Sequence, residues 1–170
     1  MRKMLYPLIA LLVIAADQIT KYMVRSNMKV GEQIPVLGNW LRIYYVQNTG
    51  TAFSMFAGNR FVTIILTSIL IIACLAFAYK EHKDGHSIIS LLLTFIAAGG
   101  ISNMIDRLSL GYVTDMISCG SFAVFNVADI FVTCGCILTM VAVLILYRNE
   151  ESEDKSNAID SSDSKGGTGV

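Results

Sequence analysis

Two aspartates, Asp115 in "GYVTDMISCG" and Asp129 at the end of "FNVAD", are the residues most able to do chemistry. Asp129 has an ordinary structural role available to it. Asn126 is a suitable helix N-cap, and an acid three residues later meets unsatisfied backbone N–H groups and the positive end of the helix dipole. Asp115 has no such role, since it lies in a short extended stretch among apolar residues. If the two carboxyls converge they must share a proton, because like charges a few ångströms apart do not both ionise easily. The ionised partner could then activate water and the protonated one could polarise a carbonyl. That is peptide-bond hydrolysis without a metal or a covalent intermediate.

Other polar residues collect near them. Asp17 and Lys21 in "DQITK" stand four apart with the acid toward the N-terminus, the favourable order for a helical ion pair. The pair could merely offset two charges near a span end, or it could orient a substrate head group. In "GGISNMIDR", Gly99 and Gly100 allow a neighbouring helix to approach closely, while Asn103 and Asp106 share a face beside Arg107. These three suit a supporting role, holding neighbouring groups in place. His82 and His86 fall in "KEHKDGH", a short loop on the far side, and read as solvated loop residues. A Cys–His or Ser–His site with the other residues is excluded by the intervening bilayer.

The elements that position these residues are membrane spans. The chain has 170 residues, 54% hydrophobic and 15% charged, with a mean hydropathy of +0.59. Four apolar runs approach the roughly 20 residues a span needs, over residues 4–24, 61–79, 88–105 and 127–147. The first resembles a signal peptide with a weak cleavage site in "VIAADQ". Three further spans, and the Asp17–Lys21 pair on one helix face, favour an uncleaved first span. The fold class expected is an all-α membrane core of four helices, one domain over residues 1–149. In the first loop, "WLRIYYVQNTGTAFSMF" reads as a strand, a turn at Asn48–Gly50 and a second extended piece. This is either an anchoring hairpin, with Trp40, Tyr44 and Tyr45 at the interface, or a small sheet over a site between the helices.

Residues 150–170 hold six of the 13 acidic residues and almost no large apolar side chain, so a disordered tail is expected. The four cysteines match no zinc spacing, and no metal or other cofactor is expected. A net charge of zero gives no argument for nucleic-acid binding. Four spans place both termini on one side, and lysine and arginine counts barely say which side is cytoplasmic.

Three other functions fit parts of this pattern. Intramembrane acids mark ion paths by default, so Asp17, Asp106 and Asp129 could line a transporter. That reading expects polar residues through the depth of the bundle, whereas these cluster at one face. A membrane scaffold is the second, and a Ser–Lys peptidase using Ser26 or Ser54 with Lys21 or Lys29 is the third.

Taken together, "DQITK", "QNTGTAF", "GGISNMIDR", "GYVTDM" and "FNVAD" occur in the order found in lipoprotein signal peptidase, and the chain resembles that family (signal peptidase II) from Asp17 to Tyr147. The resemblance implies a bacterial membrane aspartic protease with Asp115 and Asp129 at the catalytic positions. It implies that Asp17, Asn48, Gly50, Asn103, Asp106, Arg107, Asn126 and Ala128 shape the site and contact substrate, and Lys21, the helical partner of Asp17, is counted with these supporting residues. The implied substrate is a prolipoprotein, cut just before a diacylglyceryl-modified cysteine. The site would lie near the outer leaflet of the cytoplasmic membrane with both termini cytoplasmic, and the small sheet would be periplasmic or extracellular. Membrane lipid and globomycin-type inhibitors are the other implied partners, and a monomer is expected. Met116 stands where the family usually has an aromatic, and Thr51 where a small residue is usual.

Overall fold

A computed structural model of the chain describes residues 5–38, 40–50 and 60–166, with side chains described as far as residue 149. Four helices long and apolar enough to cross a membrane account for most of it. They are α1 (Leu5–Asn27), α2 (Arg60–Lys83), α3 (Ser87–Ser109) and α4 (Val127–Gly166). The first three outrun the expected spans at their C-terminal ends. Helical hydrogen bonding continues there through polar residues that hydropathy excludes.

Helix α3 is the centre of the bundle and packs against the other three. In its most apolar window 67% of the residues are buried, against 22% or less in the others, whose leucines and isoleucines face outward. Lipid tails are as apolar as leucine, so close packing must hold the helices together. Small residues supply it. A Cβ added at Gly99 would stand 2.7 Å from both the Ala128 carbonyl oxygen and Val132 Cγ2. One added at Gly135 would meet Ile96 Cγ1 at 2.7 Å. The α3–α4 seam is therefore as tight as backbone allows.

The small expected sheet is present, with a different makeup. It has three antiparallel strands in the order β1 (Gln33–Leu37), β2 (Leu41–Asn48), β3 (Val113–Cys119). The sequence pattern pairs strand β2 with the segment after Asn48. In the structure it pairs instead with the segment before it and with the excursion between α3 and α4. Most of the expected second piece, residues 51–59 with Thr51 and Ser54, lies outside the described residues. In the β2–β3 register Val46 faces Asp115 and Asn48 faces Val113. Buried Tyr45 and Met116 pack on Val24 near the end of α1, which seats the sheet on the bundle.

The tail also differs from expectation, because the backbone of α4 is helical to Gly166. Nucleation is the costly step in helix formation, and a span already formed lets helix propagate into a polar segment.

Candidate active site

Asp129 occupies the third position of α4, and Asn126 caps that helix. The Asp129 backbone N–H donates to Asn126 Oδ1 at 3.0 Å, and the Asn126 N–H donates to Asp129 Oδ2 at 3.1 Å. This reciprocal pair satisfies two helix-end donors and fixes the carboxylate against the positive end of the helix. The other oxygen, Oδ1, accepts a 2.8 Å bond from Asn103 Nδ2 of α3.

Asp115 reaches the same place from β3. Its Oδ2 accepts from Asn48 Nδ2 at 2.9 Å, and its Oδ1 accepts from Asn126 Nδ2 at 2.7 Å. Asn126 therefore holds one aspartate with its side-chain N–H and the other with its backbone. Both carboxyls line a cavity of about 530 Å³ with Asn48, Asn103 and Arg107. Burial pushes the Asp115 carboxyl up from 3.8 to about 6, with the Asp129 charge adding and the Asn48 and Asn126 amides opposing.

Beneath the two aspartates lies a buried ionic network. Lys21 Nζ is 2.7 Å from Asp17 Oδ2 and 3.3 Å from Asp106 Oδ2, and it donates to Asn103 Oδ1 at 2.7 Å. Lys21 and Asp17 are fully buried. The ammonium is enclosed by these partners and has no face toward a substrate head group. Its effect is to hold Asn103, which in turn holds Asp129. Asp17 Oδ1 accepts the Ala128 N–H at 2.8 Å, which ties α1 to the first turn of α4. Asp106 Oδ2 accepts the Thr114 N–H at 3.0 Å, which ties α3 to β3 beside Asp115. Each catalytic candidate is thus anchored through a backbone N–H of its immediate neighbour.

Four members of this network do not stand out in the sequence. Ser102 Oγ donates to Asp17 Oδ2 at 2.7 Å, and Gln18 Nε2 donates to Ser102 Oγ and Asp106 Oδ1, both at 3.1 Å. Arg25 Nη1 donates to Thr114 Oγ1 at 3.0 Å and stands 3.7 Å from Asp106 Oδ1. Gln18, Ser102 and Thr114 all fall within the motifs already noted. Their proximity to functional residues is the one signal the sequence offers, since the partners are mostly more than 80 positions away.

At the rim, the Gly50 N–H donates to Asn48 Oδ1 at 3.0 Å, which turns the chain sharply after β2. Among the described residues, Arg107 makes long contacts, 3.4 Å to the Gly50 carbonyl and 3.5 Å to the Asn103 carbonyl. It lines the cavity beside the two aspartates. Among the described residues, no three His, Cys, Asp or Glu side chains gather as a metal site would require. Ser26 donates to the Tyr22 carbonyl of its own helix, and Lys21 is committed to its acids, so this Ser–Lys pairing is not assembled. His82 departs from expectation. It lies in the last turn of α2, with its ring 5.1 Å from that of Tyr6 in an edge-to-face contact, rather than in a solvated loop.

A sequence profile described as Signal peptidase (SPase) II matches residues 9–145. The chain belongs to the signal peptidase II family. The lipoprotein signal peptidase of Moorella thermoacetica is 37% identical over 138 residues, covering 81% of this chain and 91% of that one. The one from Streptococcus agalactiae serotype Ia is 35% identical over 160 residues, covering 92% and 100%. Two solved structures, both described as a bacterial membrane enzyme structure by the in meso method, share the fold. One superposes with a TM-score of 0.77 at 33% identity over 85% of this chain and 90% of that one. The other gives 0.72 at 34% identity, over 82% and 92%. The chain is thus a multi-pass membrane peptidase of signal peptidase II type, with the family's bundle and sheet.

Proposed function

We propose that this protein removes signal peptides from prolipoproteins as an aspartic endopeptidase, cutting the bond before a diacylglyceryl-modified cysteine. The observation that carries the proposal is the convergence of Asp115 and Asp129 on one cavity, through the shared partner Asn126. Asp129, at a helix N-terminus, suits the ionised role, and Asp115 suits the protonated one. A water between them loses a proton to Asp129 as its oxygen bonds to the scissile carbonyl carbon. The Asp115 proton passes to the carbonyl oxygen as it gains charge. Collapse of the tetrahedral species breaks the C–N bond: the proton held by Asp129 goes to the amine nitrogen, and one hydroxyl proton of the tetrahedral species returns to Asp115, which leaves the new carboxylic acid and the starting pair. Asp17, Lys21, Asn103, Asp106, Asn126 and Ala128 hold this arrangement. Asn48, Gly50 and Arg107 border the space where the peptide would lie, and globomycin-type inhibitors would occupy the same space.

The location fits a substrate whose cysteine is held in lipid. All of these residues lie toward one membrane face, and α2 from 61 to 79 and α4 from 130 to 147 carry no charged residue. That distribution suits a site at the bilayer edge better than an ion path. In the orientation proposed, this face is at the outer leaflet and both termini are cytoplasmic. The protein acts as a monomer with residues 1–149 as its functional unit.

The test is to incubate purified protein with a diacylglyceryl-modified prolipoprotein and with its unmodified precursor, and to weigh the products. The expected result is a single cut before the lipidated cysteine and none in the precursor. Equal cutting of both, or a cut elsewhere, would contradict the assignment.

A further inference from the structure

A second cavity, of about 540 Å³, lies between α1, α2 and α3 on the membrane face opposite the two aspartates. Its walls come from the membrane-spanning parts of three helices, including Tyr6, Leu75, Tyr79 and Ser90. The interior offers almost nothing polar. Ser90 Oγ is used by the Ala78 carbonyl and Thr94 Oγ1 by the Ser90 carbonyl, each at 2.8 Å. Such a space within the bilayer takes hydrocarbon.

The rim has different chemistry. His82 lines the cavity, and its Nδ1 is buried with no hydrogen-bond partner among the described residues. A buried polar nitrogen left in that state is costly, and a turn of the ring that brings it to the cavity would let a bound group relieve it. Next to it, Lys83 Nζ lies 4.7 Å from the centroid of the Tyr79 ring, another wall residue. The neighbouring acids are already engaged: Glu81 by His86 at 2.8 Å and by Lys80 at 3.9 Å, and Asp84 by Lys80 at 3.8 Å. Among the described residues no acid lies in salt-bridge range of Lys83. The apolar slot thus has an imidazole ring at its rim and, next to it, an ammonium with no carboxylate partner among the described residues. That combination matches an acyl chain joined to a phosphate.

The geometry points to a binding site for an anionic phospholipid, with one acyl chain in the cavity and the headgroup phosphate at its rim, beside the His82 ring and Lys83 Nζ. The site is separate from the peptidase centre and does not depend on the reaction assigned to it.

The full chain is reconstituted into phosphatidylcholine vesicles containing a trace of phosphatidylglycerol with a diazirine in mid-chain, or the matching phosphatidylcholine probe. After irradiation, labelled peptides are mapped. Peptides carrying Tyr6–Ala10 and Leu75–His82 should be labelled about fivefold more by the anionic probe, the factor one surface cation contributes toward anionic lipid. Lys83→Gln, at an exposed position, should reduce that preference toward unity, and Lys83→Gln with His82→Ala should abolish it. Ala10→Phe, which fills the slot, should exclude both probes without lowering thermal stability. Equal labelling by the two probes, a preference that survives both rim substitutions, or cross-links between copies in place of lipid labels would overturn the proposal.

Discussion

Gly99→Ala places a methyl group at the tightest contact beside the catalytic candidates. The new Cβ would stand 2.7 Å from the Ala128 carbonyl oxygen and from Val132 Cγ2, whereas ordinary contact begins at 3.4 Å. Val132 can rotate, but the carbonyl belongs to the backbone of the first turn of α4. That turn must recede by about 0.7 Å. Overpacking of this kind costs about 1–3 kcal/mol. The same movement carries Asp129 away from Asn103 Nδ2, now at 2.8 Å, and pulls the Ala128 N–H from Asp17 Oδ1. A displacement near 1 Å costs roughly 100-fold in turnover, so a loss of about 10- to 100-fold is expected. Gly135→Ala is the control. Its Cβ would meet the Ile96 side chain at 2.7 Å and the Leu92 carbonyl oxygen less tightly at 3.2 Å, nearly two turns farther along α4 from Asp129. Both variants should lower the thermal unfolding midpoint in detergent, and only Gly99→Ala should lose most of its kcat on a lipidated prolipoprotein. Equal losses of turnover, or full activity in Gly99→Ala, would refute the claim that this seam sets the position of Asp129.

Asp115 should impose a pH dependence on stability. Its folded-state pKa of about 6 lies above the ordinary 3.8, so its stabilising contribution is complete below pH 4 and is lost as pH rises through 6. The loss is worth about 3 kcal/mol, and Asp115→Asn should remove that part of the slope when unfolding is followed from pH 4 to 8. An unchanged slope would show that the carboxyl is not held in this way. Lys21→Met strands Asp17 and Asp106 without their buried cation and should destabilise the protein by about 3–5 kcal/mol. Adding Asp17→Asn should recover part of that in chemical unfolding, and no recovery would mean that the two residues are not energetically coupled.

The four helices were legible because four runs of about 20 apolar residues, in a chain of this size, fit membrane crossing and little else. The helix start at Asn126 was legible for a different reason. An asparagine followed three residues later by an acid, just ahead of an apolar run, is a local signal, and both hydrogen bonds of the box are present. The sheet was only half legible. "QIPVL" contains a proline and every residue of it is exposed, so it carries no alternation that would mark it as the partner of β2. Pairing of β2 with β3 joins segments some 70 residues apart and leaves no local trace. Long separation also hid Gln18, Arg25, Ser102 and Thr114, whose types are ordinary and whose partners lie 84–89 positions away. His82 misled because charged neighbours suggest a loop, whereas the helix carries it one turn farther and lays its ring against Tyr6.

The central claim is that Asp115 and Asp129 together perform the hydrolysis, and turnover of a diacylglyceryl-modified prolipoprotein by Asp115→Asn and Asp129→Asn tests it most directly. Both variants must unfold cooperatively in detergent, which separates chemistry from folding. Each is expected to lose roughly 10²–10⁴-fold in kcat, the range for removing a general acid or base, while still binding substrate. Near-wild-type turnover by either folded variant would contradict the claim and leave that aspartate a structural acid.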